Sequence, residues 1–376
     1  MVGVIHINLA RSWRGGERQV ALLMSSLKSK GVNQLLICIK NSALQSHCRE
    51  NNLPFKSYST IGLFLFVPFL IAVWHLRKKY AIVHCHESRG HTIAFLARFL
   101  FRSAIKTVIH RRVLFPIKQK PITLLKYSPR YADEIICISK AVEQVVKKSV
   151  PESRTTVIPS GVPFTPEVNN GINVRDKYEI QADDKIVAYV AALSFEKDHI
   201  TFLDSACLVL KEMDQVHFMI IGEGVLYDDL TAYASRLGIS HKVTFTGFVN
   251  NVNQIIDQLD LLLFTSKSEG LGSTILDFFV HKRPVVSAKN GGAEELIVDG
   301  ETGFLCDVGD AACFASKVLK LLKNEEEAEI MTQNAYLFAK ENFTVEIVAQ
   351  RIINLYHRCL FQPKSVPIIQ SESIPF

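Results

Sequence analysis

The 376-residue chain lacks several features, and each absence narrows its class. Its eight Cys, at 38, 48, 85, 137, 207, 306, 313 and 359, contain no C-x-x-C pair and no dense framework. That spacing predicts reduced, mostly buried thiols in a cytosolic protein and not a disulfide scaffold. The opening Met1-Val2-Gly3-Val4-Ile5-His6-Ile7 has no basic segment ahead of an apolar core, so it reads as a first buried strand and not as a signal peptide. No low-complexity tract occurs, and with 48% hydrophobic residues disorder is excluded as the dominant state. No aromatic-rich RNA motif or helix-turn-helix pattern accompanies the basic residues, so nucleic acid is not expected as a partner. Long apolar runs are missing too. The longest candidate, Ile61 to Trp74, is 14 apolar or neutral residues ahead of His75-Leu76 and Arg77-Lys78-Lys79. As a helix it reaches about 21 Å, short of a hydrocarbon core of roughly 30 Å. Pro68 lies within the run, where it breaks a helix or starts one. Two readings stay open: a core-packed helix from about Pro68, or an interfacial helix with Trp74 and the basic cluster at headgroup level.

What the chain does have is an uneven distribution of charge. The formal net charge is only +6, yet residues 1–165 hold 25 Lys+Arg against 7 Asp+Glu, and residues 166–376 hold 18 against 30. Such a split implies that the halves meet different partners. The length also suits two domains at about 150 residues each. Short β-branched runs alternate with helical patterns: strands at Val4–Asn8, Leu35–Ile39, Ala81–Cys85, Ile105–His110, Glu134–Ser139 and Thr155–Pro159, with a helix at Gly16–Ser29. A second series starts at Lys185–Ala191 and runs through His217–Gly222, Lys242–Thr246, Leu259–Thr265, Pro284–Ala288 and Gly303–Cys306. Alternation of this kind predicts βαβ units and parallel sheets, hence an α/β chain with two Rossmann-like domains facing across a cleft. The expected layout is residues 1–163 as the first domain and 164–344 as the second. A helix at 345–360 follows, possible company for the first domain, and then a loose tail at 361–376. The join, near Gly161–Asn170, is rich in Pro, Gly and Asn and coincides with the charge split.

The densest motif is Ser266-Lys267-Ser268-Glu269-Gly270-Leu271-Gly272-Ser273-Thr274-Ile275-Leu276-Asp277, which follows an apolar strand and opens a helix. Gly270 and Gly272 let backbone N–H groups approach a ligand, and a helix N-terminus favours negative charge. Glu269 and Asp277 are eight apart, which puts one in the loop and the other about two turns into the helix. That spacing suits one acid on a sugar hydroxyl and one on a ribose diol; an ordinary acidic helix start is the plainer alternative. Downstream lie Pro284-Val285-Val286, Gly291-Gly292 and Gly300-Glu301-Thr302-Gly303-Phe304.

Together these strings resemble the donor half of the GT-B glycosyltransferases, specifically glycosyltransferase family 4, with Asp277 standing where that family usually has Glu. Leu193-Ser194-Phe195-Glu196-Lys197 resembles the segment carrying the diphosphate-binding Lys, although Ala192 stands where an Arg is common. Gly222-Glu223-Gly224 and Gly247-Phe248-Val249 are similar to the segments that hold the nucleobase. In the first half, Trp13-Arg14-Gly15-Gly16-Glu17 resembles the double-glycine loop that meets the diphosphate and lines the acceptor side. Ile82-Val83-His84-Cys85-His86 resembles a strand often written Val-Val-His-x-His, and His110 fits the family's donor-sugar His. For His110, a strand-end His in a basic patch is the alternative. His84 and His86 alternate along a strand and could bind a metal, but no third ligand with suitable spacing follows them; packing or acceptor lining is the expected role.

The resemblance implies a retaining, metal-independent transfer from a UDP- or GDP-linked sugar, with no cofactor besides that co-substrate. Glu269, His110 and Lys197 are the implied catalytic residues. Gly15, Gly16, Gly222, Gly247, Phe248, Gly270, Leu271, Gly272, Ser273, Thr274 and Asp277 are the implied donor contacts. A glycan or lipid-linked acceptor, in lipopolysaccharide, polysaccharide or glycolipid synthesis, falls to the basic half. Trp13, Arg14, His86, Arg111, Arg112 and Arg77, Lys78, Lys79 are its candidate acceptor or membrane contacts. The basic half is expected at an anionic membrane surface, on the cytoplasmic face. A GT-B nucleotide-sugar epimerase, or a non-catalytic binding protein using the basic half, are the alternatives.

Overall fold

The computed structural model describes residues 2–59, 67–102, 105–165 and 171–361. The chain forms two compact units, one of Met1–Gly161 with Val345–Phe376, the other of Val162–Thr344. Each is an α/β domain built on one parallel sheet.

The first unit runs β1 (Gly3–Ile7), α1 (Gly15–Ser29), β2 (Asn33–Ile39), α2 (Ala43–Glu50), β3 (Phe55–Tyr58), α3 (Val67–Leu76) and β4 (Ile82–Cys85). It continues with α4 (Ser88–Phe101), β5 (Lys106–Arg111), α5 (Pro121–Tyr127), β6 (Glu134–Cys137), α6 (Lys140–Ser149) and β7 (Thr155–Val157). The sheet order is β3-β2-β1-β4-β5-β6-β7. Strands β1, β4 and β6 are buried at every position, as parallel strands covered on both faces must be. One face takes Leu23 and Leu27 of α1, which pack with Val4, Ile82, Val108 and Ile136. The other takes α3 and α4 through Phe69, Ala72, Val73, Ile93, Ala94 and Ala97. Over Val67–Leu76, then, the apolar run is a core-packed helix, with Val67 and Ile71 left exposed on its outer side. Residues 61–66 of that run lie outside the described residues.

The second unit comprises α7 (Val174–Tyr178), β8 (Lys185–Val190), α8 (His199–Leu210), β9 (Val216–Ile221), α9 (Tyr227–Arg236), β10 (Val243–Phe245) and β11 (Leu261–Phe264). Then come α10 (Ser273–Val280), β12 (Val285–Ala288), β13 (Phe304–Cys306), α11 (Ala311–Lys323) and α12 (Glu325–Asn342). Its order, β10-β9-β8-β11-β12-β13, repeats the Rossmann pattern. The last helix, α13 (Val345–Phe361), belongs to the first unit, where Val348, Ala349, Ile352, Leu355 and Tyr356 join the α1 side of the core.

Two sequence expectations need correction. Cys306 and Cys313 form a disulfide, so the thiols are not all reduced. The turn from β13 into α11 brings their Cα atoms to 5.9 Å, within bonding reach. A spacing of six intervening residues matches no redox or metal motif. Second, α10 starts at Ser273, so Asp277 sits little more than one turn into the helix instead of two. Among the described residues, no helix is long and apolar enough to cross a membrane.

Candidate functional site

In an open parallel sheet, ligands sit beyond the C-terminal strand ends where the strand order reverses. In the second unit that point lies between β8 and β11. The loop after β8 carries Lys197 and the loop after β11 carries Glu269, and their side chains meet with Nζ 2.5 Å from Oε1. Both are largely buried, at 21% and 14% side-chain exposure. Backbone bonds knit the surrounding loops: Lys267 N donates to Glu196 O at 2.8 Å, and Glu269 N donates to Asn290 O at 3.3 Å. The Asn290 amide donates to Ser266 O at 3.2 Å. Gly292 is required by this closeness, because a Cβ there would come 2.6 Å from Leu271 Cα and 2.8 Å from Glu269 O. Gly272 has φ +84 and turns the loop into α10, whose N-cap has no side-chain partner. The first-turn residues Ser273 and Thr274 are half-buried, and the Leu271 side chain is packed away.

Other expected donor residues also stand at strand ends of this unit. Gly222 and Gly247, after β9 and β10, pair in an isolated antiparallel bridge. Phe248 beside them is 56% exposed. Asp277 is half-buried on α10.

The first unit reverses its order between β1 and β4, and there the structure gathers four histidines. His6 of β1 pairs in register with His84 of β4, and His86 and His110 lie one step further on. Arg112 orders them. Its guanidinium approaches His86 Nδ1 at 3.4 Å and His110 Nδ1 at 3.1 Å. Since Arg only donates, both Nδ1 atoms accept, and the ring protons reside on Nε2. His86 Nε2–H then donates to His6 Nδ1 at 2.9 Å. His84 Nδ1 lies 2.6 Å from the Tyr356 hydroxyl of α13. The Nε2 atoms of His6, His84 and His110 are buried with no hydrogen-bond partner. Burial holds all four rings neutral: His6 falls to about 3, and His84, His86 and His110 fall well below their ordinary value. Burial also lowers Arg112 to about 10.

The third histidine that chain spacing does not supply is His6, whose ring nitrogen lies within 4.8 Å of those of His84 and His86. A triad of this kind has metal-ligand chemistry, but Arg112 sets a positive charge against His86, which opposes a second cation there.

The remaining first-unit candidates divide by environment. Gly15 and Gly16 open α1, and a Cβ on either would meet nothing within 4 Å. Folding therefore does not demand glycine at these positions. Trp13 packs half-buried on the α2 side, its ring 5.1 Å from His47. Arg14 is the N-cap of α1, and its N–H donates to Glu17 Oε2 at 3.1 Å. Arg111 donates to the Tyr127 hydroxyl at 3.2 Å and to the Phe115 carbonyl. Arg111 and Arg112 are thus both half-buried and bonded to protein groups. Arg77 lies across Trp74, 3.1 Å from the ring centroid, whereas Lys78 and Lys79 are exposed.

Sequence reading missed several members of these sites. Glu87 caps α4, accepting from Arg89 N and Gly90 N at 2.6 Å each, and so fills that helix terminus with the chain's own carboxylate. Its position, directly after the His-x-His strand, was the available signal. Glu17, beside the double glycine, also accepts from the Asn8 amide at 3.3 Å. Tyr189 and Ser266 stand under the Lys197–Glu269 pair.

Comparison with known proteins bears on both units. Residues 172–338 match the model of "Glycosyl transferases group 1", and residues 13–165 match that of "Glycosyltransferase Family 4". EpsD of Bacillus subtilis, named as a glycosyltransferase, is 29% identical over 283 residues, 69% of this chain and 74% of that protein. The Escherichia coli UDP-Gal:alpha-D-GlcNAc-diphosphoundecaprenol alpha-1,3-galactosyltransferase is 22% identical over 375 residues, 94% of this chain and 96% of its own. Among solved structures, Anabaena Alr3699/HepE in complex with UDP and glucose superposes with a TM-score of 0.82 at 20% identity, covering 94% of this chain and 99% of that one.

Proposed function

The chain belongs to the family 4 glycosyltransferases of the GT-B fold, and from that premise we propose that it moves a sugar from a uridine diphosphate sugar to an anionic, lipid-linked acceptor with retention of configuration and without a metal. The observation that carries this reading is the Lys197–Glu269 pair at the β8/β11 reversal, beside the N-terminus of α10. Lys197 and the first-turn amides of α10 would take the charge that builds on a leaving diphosphate. Glu269 would orient the sugar hydroxyls, Asp277 the ribose, and Gly222, Gly247 and Phe248 the base. From the first unit, the Gly15 and Gly16 amides and the His110 Nε2–H are proposed to meet substrate. Their readiness rests on two features: glycine is not needed for folding at 15 and 16, and His110 carries a buried donor without a partner.

Uridine is favoured because the Anabaena structure holds UDP and the Escherichia coli relative is named for UDP-Gal. That relative's name also gives its acceptor as a sugar on diphosphoundecaprenol, which fits a basic first unit. Exposed Phe99, Leu100, Phe115 and Ile122, with Lys78, Lys79, Lys118 and Lys120, would rest on an anionic membrane at the cytoplasmic face. The test is product analysis with a labelled UDP-sugar and a lipid-diphosphate acceptor. Label is expected on the lipid with wild type, and Glu269→Ala is expected to lower the rate by about 100-fold or more. Label found only in an isomerised nucleotide sugar, or full activity of Glu269→Ala, would overturn the proposal.

A further inference from the structure

Beneath the Lys197–Glu269 pair runs a closed circuit of buried hydroxyls, and we propose that Tyr189 and Ser266 are positioning residues that hold the two charged side chains in working geometry. The inference rests on the donor reading above. The Tyr189 hydroxyl donates to the Lys197 carbonyl at 2.6 Å and lies 2.7 Å from Ser266 Oγ. Ser266 Oγ donates to Glu269 Oε1 at 2.7 Å, and that same oxygen receives Lys197 Nζ at 2.5 Å. The circuit therefore passes from the Lys197 backbone through two hydroxyls and a carboxylate back to the Lys197 ammonium.

Its base is rigid. Tyr189 and Ser266 are fully buried, and the Tyr189 ring is enclosed by His199, Phe202 and Phe264 at centroid distances of 4.8, 5.5 and 5.6 Å. Two hydroxyl protons serve three oxygen–oxygen contacts. The Tyr189 proton can go to the Lys197 carbonyl, on the loop after β8, or to Ser266, on the loop after β11. Through this shared proton one phenol sets the height of both loops. When a donor draws the Lys197 ammonium onto its diphosphate, Ser266 remains as the partner of Glu269 Oε1. That leaves Oε2 as the carboxylate oxygen offered to the sugar.

The experiment follows UDP release from UDP-glucose, UDP-galactose and UDP-N-acetylglucosamine, with UDP affinity measured separately by titration. Ser266→Ala is expected to lower kcat by about 10- to 100-fold, the range for losing a hydrogen bond to a charged group, and Tyr189→Phe, whose partners are neutral, by about 3- to 10-fold. UDP affinity is expected to stay within about threefold, since the circuit orients the sugar-facing acid and not the nucleotide. Ser266→Thr keeps the hydroxyl and is expected to recover most of the rate. On a Glu269→Gln background, Ser266→Ala is expected to have little further effect, because the two act as one unit. Unchanged kcat in both single variants, a parallel loss of UDP affinity, or full additivity with Glu269→Gln would overturn the positioning role. If Glu269→Ala itself turns over normally, or wild type releases no UDP from any of the three, the donor reading fails first.

Discussion

Arg112 shows how one residue can set the chemistry of several neighbours. By donating to His86 and His110 it fixes both tautomers, and it aims an Nε2–H from His110 into a buried space with no acceptor. The four neutral rings carry a consequence for stability. Above pH 6.5 they are uncharged both folded and unfolded, so they add no pH dependence. Below 6.5 the unfolded chain takes up protons that the folded unit refuses, and stability falls as the pH falls. Glu87 and Glu134, raised by burial, act in the opposite direction closer to their ordinary value of 4.5. The unfolding temperature of the first unit is therefore expected to drop steeply between pH 6.5 and 5.5, and His6→Asn is expected to flatten the drop; a level profile would contradict the buried cluster. His84, His86 and His110 were marked in the sequence, but the place of His6 among them was not legible, because His6 and His84 meet only through strand pairing across 78 residues. Lys197 and Glu269, by contrast, were marked by their motifs; Ser266 opened one of them without an assigned role, and Tyr189 was hidden in the strand beneath.

At the level of elements, the alternating pattern gave most strands to within a residue or two, since buried parallel strands are continuous apolar runs. It missed β3, whose Phe-Lys-Ser-Tyr sequence is short, polar and only half-buried at the sheet edge. The two double glycines, which look alike in sequence, differ in their demands. Gly292→Ala is expected to push the loop after β12 off Leu271, lowering thermal stability and UDP affinity together. Gly15→Ala meets open space and is expected to leave the melting temperature unchanged while weakening turnover; loss of folding in Gly15→Ala would contradict that distinction. The β13–α11 turn carries the disulfide, and a loop this short is worth about 2 kcal/mol in chain entropy. Thiol titration of the denatured chain is expected to find the six free cysteines without reductant and eight with it. Eight in both cases would remove the bond.

For the molecule as a whole, the charge split follows the two units. Met1–Gly161 with Val345–Phe376 contain 28 Lys+Arg against 9 Asp+Glu, and Val162–Thr344 contain 15 against 28. The return of α13 to the first unit thus keeps the asymmetry. Part of the first unit's basic charge is engaged by protein groups, at Arg98 on Asp133, Arg111 on Phe115 and Arg112 on the histidines, and Lys78, Lys79, Lys118 and Lys120 are among its exposed cations. Binding to anionic vesicles is expected to weaken with salt and with Lys78→Glu/Lys79→Glu; indifference to both would remove the membrane role. The acidic second unit keeps its positive potential local, at Lys197 and the start of α10. The central claim, that this unit holds a nucleotide diphosphate sugar there, is tested most directly by a thermal-shift screen of wild type and Lys197→Ala against uridine, guanosine, adenosine and cytidine sugars. Uridine sugars are expected to raise the wild-type melting temperature in proportion to the logarithm of their concentration, and to lose most of that effect with Lys197→Ala. A folded wild-type chain unmoved by every nucleotide sugar, or a shift that Lys197→Ala leaves intact, would contradict it.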